Sequence, residues 1–238
     1  MTPPVVTEAP LGVLAFGDSI TNGGGELQWG VALQSWALWV ARALGLPFTG
    51  YAFDGARVVD VVHEQIPAFE RRTAHPAADY ELGCLYIGVN DVRALDWDPA
   101  AFEADHRLAL GFLAERCDRV LTVTAPLDLG RPQAGAKVPE LNAVIERVAG
   151  ELGALVLDLR AFGARNHVMA DQVHPTAFGQ IAMAERALAV LERDGMRVAV
   201  RPSALISYDT TWSGRLRGDM TYAYRRANVA WAAWRAGW

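Results

Sequence analysis

The chain has only two cysteines, Cys84 and Cys117, in 238 residues. That is too few for a disulfide scaffold or a cysteine-built zinc site. Both lie in apolar runs, where a thiol behaves as a small buried hydrophobe. Long apolar runs are also lacking. The longest uncharged stretch, residues 27–41, is broken by Gln28, Gly30, Gln34 and Ser35. A spanning helix needs about twenty apolar residues, so no transmembrane segment is expected. The opening M-T-P-P-V-V-T-E-A-P has neither the basic nor the apolar region of a signal peptide. A soluble, cytoplasmic protein is the expectation. Excess positive charge is missing as well: 22 Lys and Arg stand against 27 Asp and Glu, a net charge of −5. Phosphate contact requires a basic footprint, so no nucleic-acid partner is expected. The sequence holds no HExxH motif, no cysteine pair and no dinucleotide glycine fingerprint, so it implies neither a metal nor an organic cofactor.

What the chain does have is apolar mass. It is 52% hydrophobic and 21% charged, which suits a large core and excludes disorder. Five short apolar runs, at residues 11–16, 46–52, 82–87, 119–124 and 154–158, are of strand length and bounded by Gly, Pro, Asn or Asp. Helical periodicity separates them. Leu33, Trp36, Val40 and Leu44 follow the i, i+3, i+4 rule, with Gly45 as a stop. Residues 102–113 and 141–152 read similarly. After Pro175, Phe178, Ile181, Met183, Leu188 and Leu191 lie on another helix that ends near Gly195. Strands apolar on both faces, joined by long helical connections, pair in parallel with right-handed crossovers. The fold class is α/β, a parallel sheet of five strands with helices on both faces.

Composition shifts near residue 196. Seven arginines against Asp209 and Asp219 give residues 197–238 a charge of +5, leaving −10 on the rest. Half of the eight tryptophans fall here: Trp212, Trp231, Trp234 and Trp238. The chain therefore divides into a domain at 1–196 and a basic, Trp-rich extension at 197–238. Residues 221–238 read as a helix on which Tyr224, Trp231, Trp234 and Trp238 fall within about 80° of each other. Ala227 shares that stripe and Arg225 and Arg226 lie outside it. Such a stripe is expected to pack on the domain's own helices; a contact between copies, giving a homo-oligomer, or with a partner is the next reading, and an interfacial membrane helix the last.

In a parallel α/β sheet, functional groups collect beyond the C-terminal ends of strands. After the first strand comes Gly17-Asp18-Ser19-Ile20-Thr21-Asn22-Gly23, where a serine can present its hydroxyl at the sheet edge. After the second comes Phe53-Asp54-Gly55-Ala56-Arg57, and after the third Gly88-Val89-Asn90-Asp91. Glycine permits close backbone approach and asparagine offers an amide N–H donor. Near the end of the domain is Asp171-Gln172-Val173-His174-Pro175. That spacing lets Asp171 accept from one ring nitrogen of His174 while the other faces a nucleophile. His63, His75, His106 and His167 have no such setting and read as surface or loop residues.

These four segments, in this order, resemble the SGNH hydrolases, also called GDSL-type esterases or lipases. The match is Gly17-Asp18-Ser19, Gly55, Gly88-x-Asn90-Asp91 and Asp171-x-x-His174, and it spans residues 11–192. The resemblance implies a three-layer α/β/α fold with a five-stranded parallel sheet of flavodoxin-like order. It implies Ser19 as nucleophile, His174 as general base and Asp171 as its orienting carboxylate. The implied oxyanion hole is the Ser19 backbone N–H, the Gly55 backbone N–H and the Asn90 side-chain amide. Asp18 would organise its loop and Asp91 would brace the third. One departure stands out: Gly50 occupies the place of the asparagine that family members carry five positions before the second-block glycine. The triple glycine Gly23-Gly24-Gly25 suggests a mobile rim beside Ser19.

The function implied is cleavage of a carboxylic ester, on a small molecule or a glycan, through an acyl-enzyme on Ser19 and without a cofactor. Acyl transfer, thioester cleavage and carbohydrate O-deacetylation would use the same triad. A non-catalytic binding module of this fold is the reading from another class, and retention of all the required side chains argues against it.

Overall fold

The computed structural model describes residues 10–72, 79–129, 134–164 and 166–235. His75 falls outside the described residues. Five strands, β1 (Val13–Gly17), β2 (Phe48–Gly50), β3 (Leu82–Tyr86), β4 (Val120–Val123) and β5 (Leu155–Leu157), form one sheet in the order β2-β1-β3-β4-β5. Every pairing is parallel, with Val13 beside both Phe48 and Leu82, Gly83 beside Val120 and Leu121 beside Leu155. The expected α/β class, strand number and order are those observed. Central β1, β3 and β4 are wholly buried, as strands covered on both faces must be. The edge strands β2 and β5 are cut to three residues each and are partly exposed. Short edges leave little unpaired backbone to recruit another strand.

The helices are α1 (Ser19–Asn22), α2 (Trp36–Leu44), α3 (Val58–Asp60), α4 (Ile66–Arg72), α5 (Val89–Arg93), α6 (Pro99–Ala114), α7 (Lys137–Leu152), α8 (Ala177–Arg193) and α9 (Trp212–Arg235). Helix α2 packs against α8, and α6 packs against α7 and α3, as the two outer layers. The sequence punctuation acts where expected. Ser35 caps α2 by accepting from the Ala37 N–H, and Gly45 closes that helix in the left-handed conformation. Thr176 caps α8 by accepting from the Gly179 N–H.

Between α3 and α4 the chain widens into a π-helical stretch, Val61–Gln65. It falls just before Pro67, a residue that cannot donate to a regular helical ladder. Cys84 is buried and Cys117 half-buried, and burial pushes the Cys117 thiol up to about 12. His106 departs from its expected surface position. It is buried on α6, stacked on Phe102 at 5.4 Å, and desolvation pushes its pKa down to about 4. Among the described residues no helix is long and apolar enough to cross a membrane.

The extension past residue 196 has two parts. Met196, Val198 and Ile206 pack on the core, Pro202 is buried, and the Ala199 N–H donates to Ala43 O at 2.8 Å. Tyr208 meets Phe178 edge-on at 4.7 Å and stacks on Trp29 at 6.0 Å. Helix α9 follows, with Trp212, Tyr224, Trp231 and Trp234 exposed, and Trp238 falls outside the described residues.

Candidate active site

The order of the strands reverses between β2-β1 and β3-β4-β5, and the segments after β1, β2 and β3 meet at that edge. Gly17 ends β1 at φ +152°, where a Cβ would lie 2.5 Å from Tyr86 O. Only glycine lets the chain pass so close to β3 before turning. Asp18 then caps α1, its Oδ1 accepting from the Ile20 N–H at 2.9 Å. Ser19 is thus held at the first position of a helix, at the strand end.

His174 reaches this turn from 155 residues away, its Nε2 2.9 Å from Ser19 Oγ. Its Nδ1 lies 2.6 Å from Asp171 Oδ2. The other carboxylate oxygen, Oδ1, accepts from the N–H groups of Val173 and His174 at 3.0 and 3.1 Å. Asp171 is therefore fixed on both oxygens and faces the imidazole in one orientation. Gln172 between them adopts φ +58°, an uncommon conformation for a residue with a side chain, which folds the carboxylate back onto the ring.

The electrostatics follow from these contacts. The hydrogen bond that His174 donates to Asp171 raises the His174 pKa above its ordinary value, with burial opposing and the charges of Asp171 and Asp18 adding. For Asp171, burial pushes upward, but the bonds from His174 and the backbone outweigh it and hold the carboxyl below its usual range. Asp18 is fully buried and desolvation pushes it up to about 7. Burial likewise raises Asp91 to about 6, against the Val58 N–H and Arg57 that favour its charged form.

Gly55 sits in a left-handed turn at φ +80°, with nothing within 4 Å of where a Cβ would stand. Asn90 follows Gly88 at the start of α5, and its side-chain amide donates to Ala56 O at 3.0 Å. That bond ties the second and third segments together and uses one of the two amide N–H donors. Asp91 accepts from the Val58 N–H with both oxygens, at 3.1 and 3.2 Å, bracing the third segment against α3. Where Gly50 offers no asparagine, the second segment is braced from elsewhere. Asn22 Nδ2 donates to Asp54 Oδ1 at 2.9 Å, linking it to the serine turn.

The glycine run after Ser19 is packed rather than a loose rim. The Gly24 N–H donates to Ser19 O at 2.6 Å. A Cβ on Gly25 would lie 2.1 Å from Pro175 O, so the run forms a close joint with the His174 loop.

Two buried glutamines, neither singled out by the sequence, hold the assembly. Gln65 grips Gly17 from the π-helical stretch, accepting from its N–H at 3.0 Å and donating to its carbonyl at 2.8 Å. Gln180 on α8 accepts from the Trp36 N–H at 2.8 Å and donates to Ile20 O and Gly24 O at 3.0 and 3.1 Å. No motif marks such residues, because their partners are backbone atoms far away in sequence.

Among the described residues no group of three or more His, Cys, Asp or Glu side chains could hold a metal ion. A void of about 10 Å³ beside the His174 loop is lined by Ile20, Tyr86, Leu159, Phe162, Val173 and Met183 among others, and neither Ser19 nor His174 lines it. A larger cleft of about 360 Å³ lies on the outer side of this loop. Gln28, Trp29, Asn166 and Thr176 form one of its walls, and Tyr222 and Arg225 of α9 form the other.

A serine, a histidine and a carboxylate thus stand in line at the switch point of the sheet. Residues 15–181 match the GDSL-like lipase/acylhydrolase family. The chain belongs to this family of ester-hydrolysing enzymes. No curated protein sequence matches it significantly. Solved structures share the fold. A lipolytic protein of the G-D-S-L family from Veillonella parvula is 24% identical at a TM-score of 0.60, covering 76% of this chain and 98% of its own. An acetyl-xylooligosaccharide esterase from Geobacillus stearothermophilus is 20% identical at 0.59, covering 81% and 99%. A lipase/acylhydrolase from Enterococcus faecalis is 22% identical at 0.58, covering 77% and 95%. About a fifth of this chain has no counterpart in them.

Proposed function

We propose that the protein hydrolyses a carboxylic ester through an acyl-enzyme on Ser19. The observation that carries this reading is the in-line arrangement Ser19 Oγ, His174 Nε2, His174 Nδ1 and Asp171 Oδ2, with separations of 2.9 and 2.6 Å. His174 takes the Ser19 proton as Oγ attacks the carbonyl carbon, and Asp171 stabilises the imidazolium that forms. The oxyanion is received by the Ser19 and Gly55 backbone N–H groups and the second N–H of Asn90. The imidazolium then protonates the departing alcohol, and water, deprotonated by His174, releases the acid and restores Ser19.

Within this reading, O-deacetylation of a carbohydrate is favoured by the cleft beside the His174 loop. The aromatic and amide-lined cleft beside the loop, with Trp29, Gln28 and Asn166, would take a sugar. The fold similarity to an acetyl-xylooligosaccharide esterase points the same way. Acyl transfer or thioester cleavage would need only a different acceptor or leaving group.

The test is a fluorophosphonate probe followed by peptide mass mapping, with p-nitrophenyl esters of increasing chain length. One tag on the Ser19 peptide, none on Ser19→Ala, and a rate that falls from acetate to octanoate are expected. Labelling of Ser19→Ala at the wild-type rate would overturn the assignment.

A further inference from the structure

Helix α9 is amphipathic the wrong way round for a helix packed on its own domain. At about 100° per residue, Trp212, Leu216, Met220, Tyr224, Trp231 and Trp234 fall in one stripe about 120° wide. The small Ala223, Ala227 and Ala230 lie between the large side chains. All six large residues are exposed, Trp212 at 79%, Trp234 at 73% and Tyr224 at 69%. The described α9 residues that are partly buried are Gly214, Tyr222 and Val229, which cluster on the opposite side of the wheel. That side faces the body, where Arg225 pairs with Glu26. The helix turns Gly214, Tyr222, Val229 and the Glu26-paired Arg225 inward and its broad aromatic stripe outward.

We propose that this stripe is covered by the α9 helix of a second copy, packed antiparallel across a two-fold axis. Area is the first argument. The exposed large side chains offer on the order of 700–800 Å² per chain at the usual area of a large ring. A soluble monomer seldom presents a patch beyond about 600 Å², and a stable interface takes about 800 Å² from each partner. Helix α9, at 24 residues, is about 36 Å long and can supply that area in one seam.

Spacing is the second argument. Met220, Tyr224, Ala227, Trp231 and Trp234 alternate by four and three residues, the repeat that keeps a seam facing a partner helix. Antiparallel pairing centred between Arg225 and Arg226 sets Tyr224 against Ala227 of the second copy and Met220 against its Trp231. Each ring then meets a smaller or more pliable side chain, as close packing requires. The same register brings Arg217 over Trp234 of the second copy, a cation–π arrangement like the one Arg235 already makes with Trp231 at 4.8 Å.

Charge is the third. The extension carries +5 and the remainder −10, so paired extensions stay flanked by two acidic bodies. An anionic membrane would instead have to tolerate that acidic body beside it.

The experiment is sedimentation equilibrium of the full chain over a wide concentration range, beside Trp231→Glu/Trp234→Glu and vesicles of anionic phospholipid. The wild type is expected at twice the 25.8 kDa chain mass. The double variant should dissociate at least about 100-fold more readily, with an unchanged circular dichroism spectrum and unchanged thermal unfolding of the monomer. A Tyr224→Cys/Ala227→Cys chain should form an intermolecular disulfide on mild oxidation. A wild type at the chain mass throughout, an assembly that survives the double substitution, or a monomer that binds the vesicles through Trp231 and Trp234 would overturn the proposal.

Discussion

Ser19 lies 155 residues from His174 in the chain while Asp171 lies only three from it, and their proton chemistry depends on who holds whom. Because Asp171 raises the His174 pKa, the neutral base becomes abundant only above the ordinary histidine value of about 6.5. Activity is therefore expected to climb with pH through a midpoint above that value, read from kcat/KM profiles on an activated ester. Asp171→Asn should lower kcat by about 10⁴-fold, since the amide favours the wrong tautomer, and leave the fold intact. A profile flat from about pH 5 to 9 would contradict His174 as base. Asn90→Ala should lower kcat by about 100-fold or more with a smaller change in KM, because its donor acts on charge that develops in the transition state. A change confined to KM would make Asn90 a ground-state binder. Ser19 and Asn90 were legible in the sequence because each stands near a glycine that ends a strand, and Asp171 and His174 because a carboxylate three residues before a histidine is followed by a proline and then a helix. Gln65 and Gln180 were not legible. A buried glutamine in a helical stretch carries no local pattern, and its worth lies in backbone partners such as Gly17 and Ile20.

At the scale of elements, the serine turn and the His174 loop are held together by close approach. The glycine run that reads as a mobile rim is in fact where the two loops touch: the Gly25 Cα faces Pro175 O and the Ala177 N–H donates to Glu26 O at 2.9 Å. Flexibility was the natural inference from three glycines, because the backbone they approach belongs to a segment 150 residues later. Gly25→Ala should destabilise the protein by about 1–3 kcal/mol and lower activity further, as Pro175 adjoins His174. Denaturant unfolding alongside ester hydrolysis would check it, and a neutral effect on both would show that the joint yields. The strand and helix pattern itself was readable, except that the edge runs at residues 46–52 and 154–158 shrink to three paired residues each. Pairing length at an edge is set by the neighbouring strand, which a single run cannot reveal.

For the whole molecule, burial of charge shapes the pH dependence of stability. Asp18, pushed up to about 7 in the folded chain, binds a proton there that it loses near pH 4 when unfolded. Between those values the folded state holds more protons, so this group's contribution to stability falls as pH rises. The His174 shift has the same sign, its contribution being lost as pH rises through the folded pKa. Asp18→Asn should thus gain in melting temperature relative to wild type on going from pH 5 to pH 8, measured by scanning fluorimetry. A gap that narrows instead would mean Asp18 is paired when charged. The two parts of the extension should also separate. A chain ending at residue 208 is expected to melt close to the intact monomer. One ending at residue 196 should melt lower, because Val198, Pro202, Ile206 and Tyr208 leave the core and its aromatic rim.

The sequence by itself determined the α/β class, the five strands and the four segments that form the candidate site. Local rules suffice for these: apolar runs make strands, a 3.6-residue period makes helices, and glycine, asparagine and aspartate mark the turns between them. The amphipathic stripe of the extension was likewise readable, because periodicity belongs to the helix alone. Tertiary structure decided what those elements face. It buried His106 and Asp18, turned the glycine run into a joint, clamped the serine turn with two distant glutamines and pointed the stripe of α9 away from the body. Those outcomes depend on which surfaces meet in space, and no local stretch of chain encodes its partner.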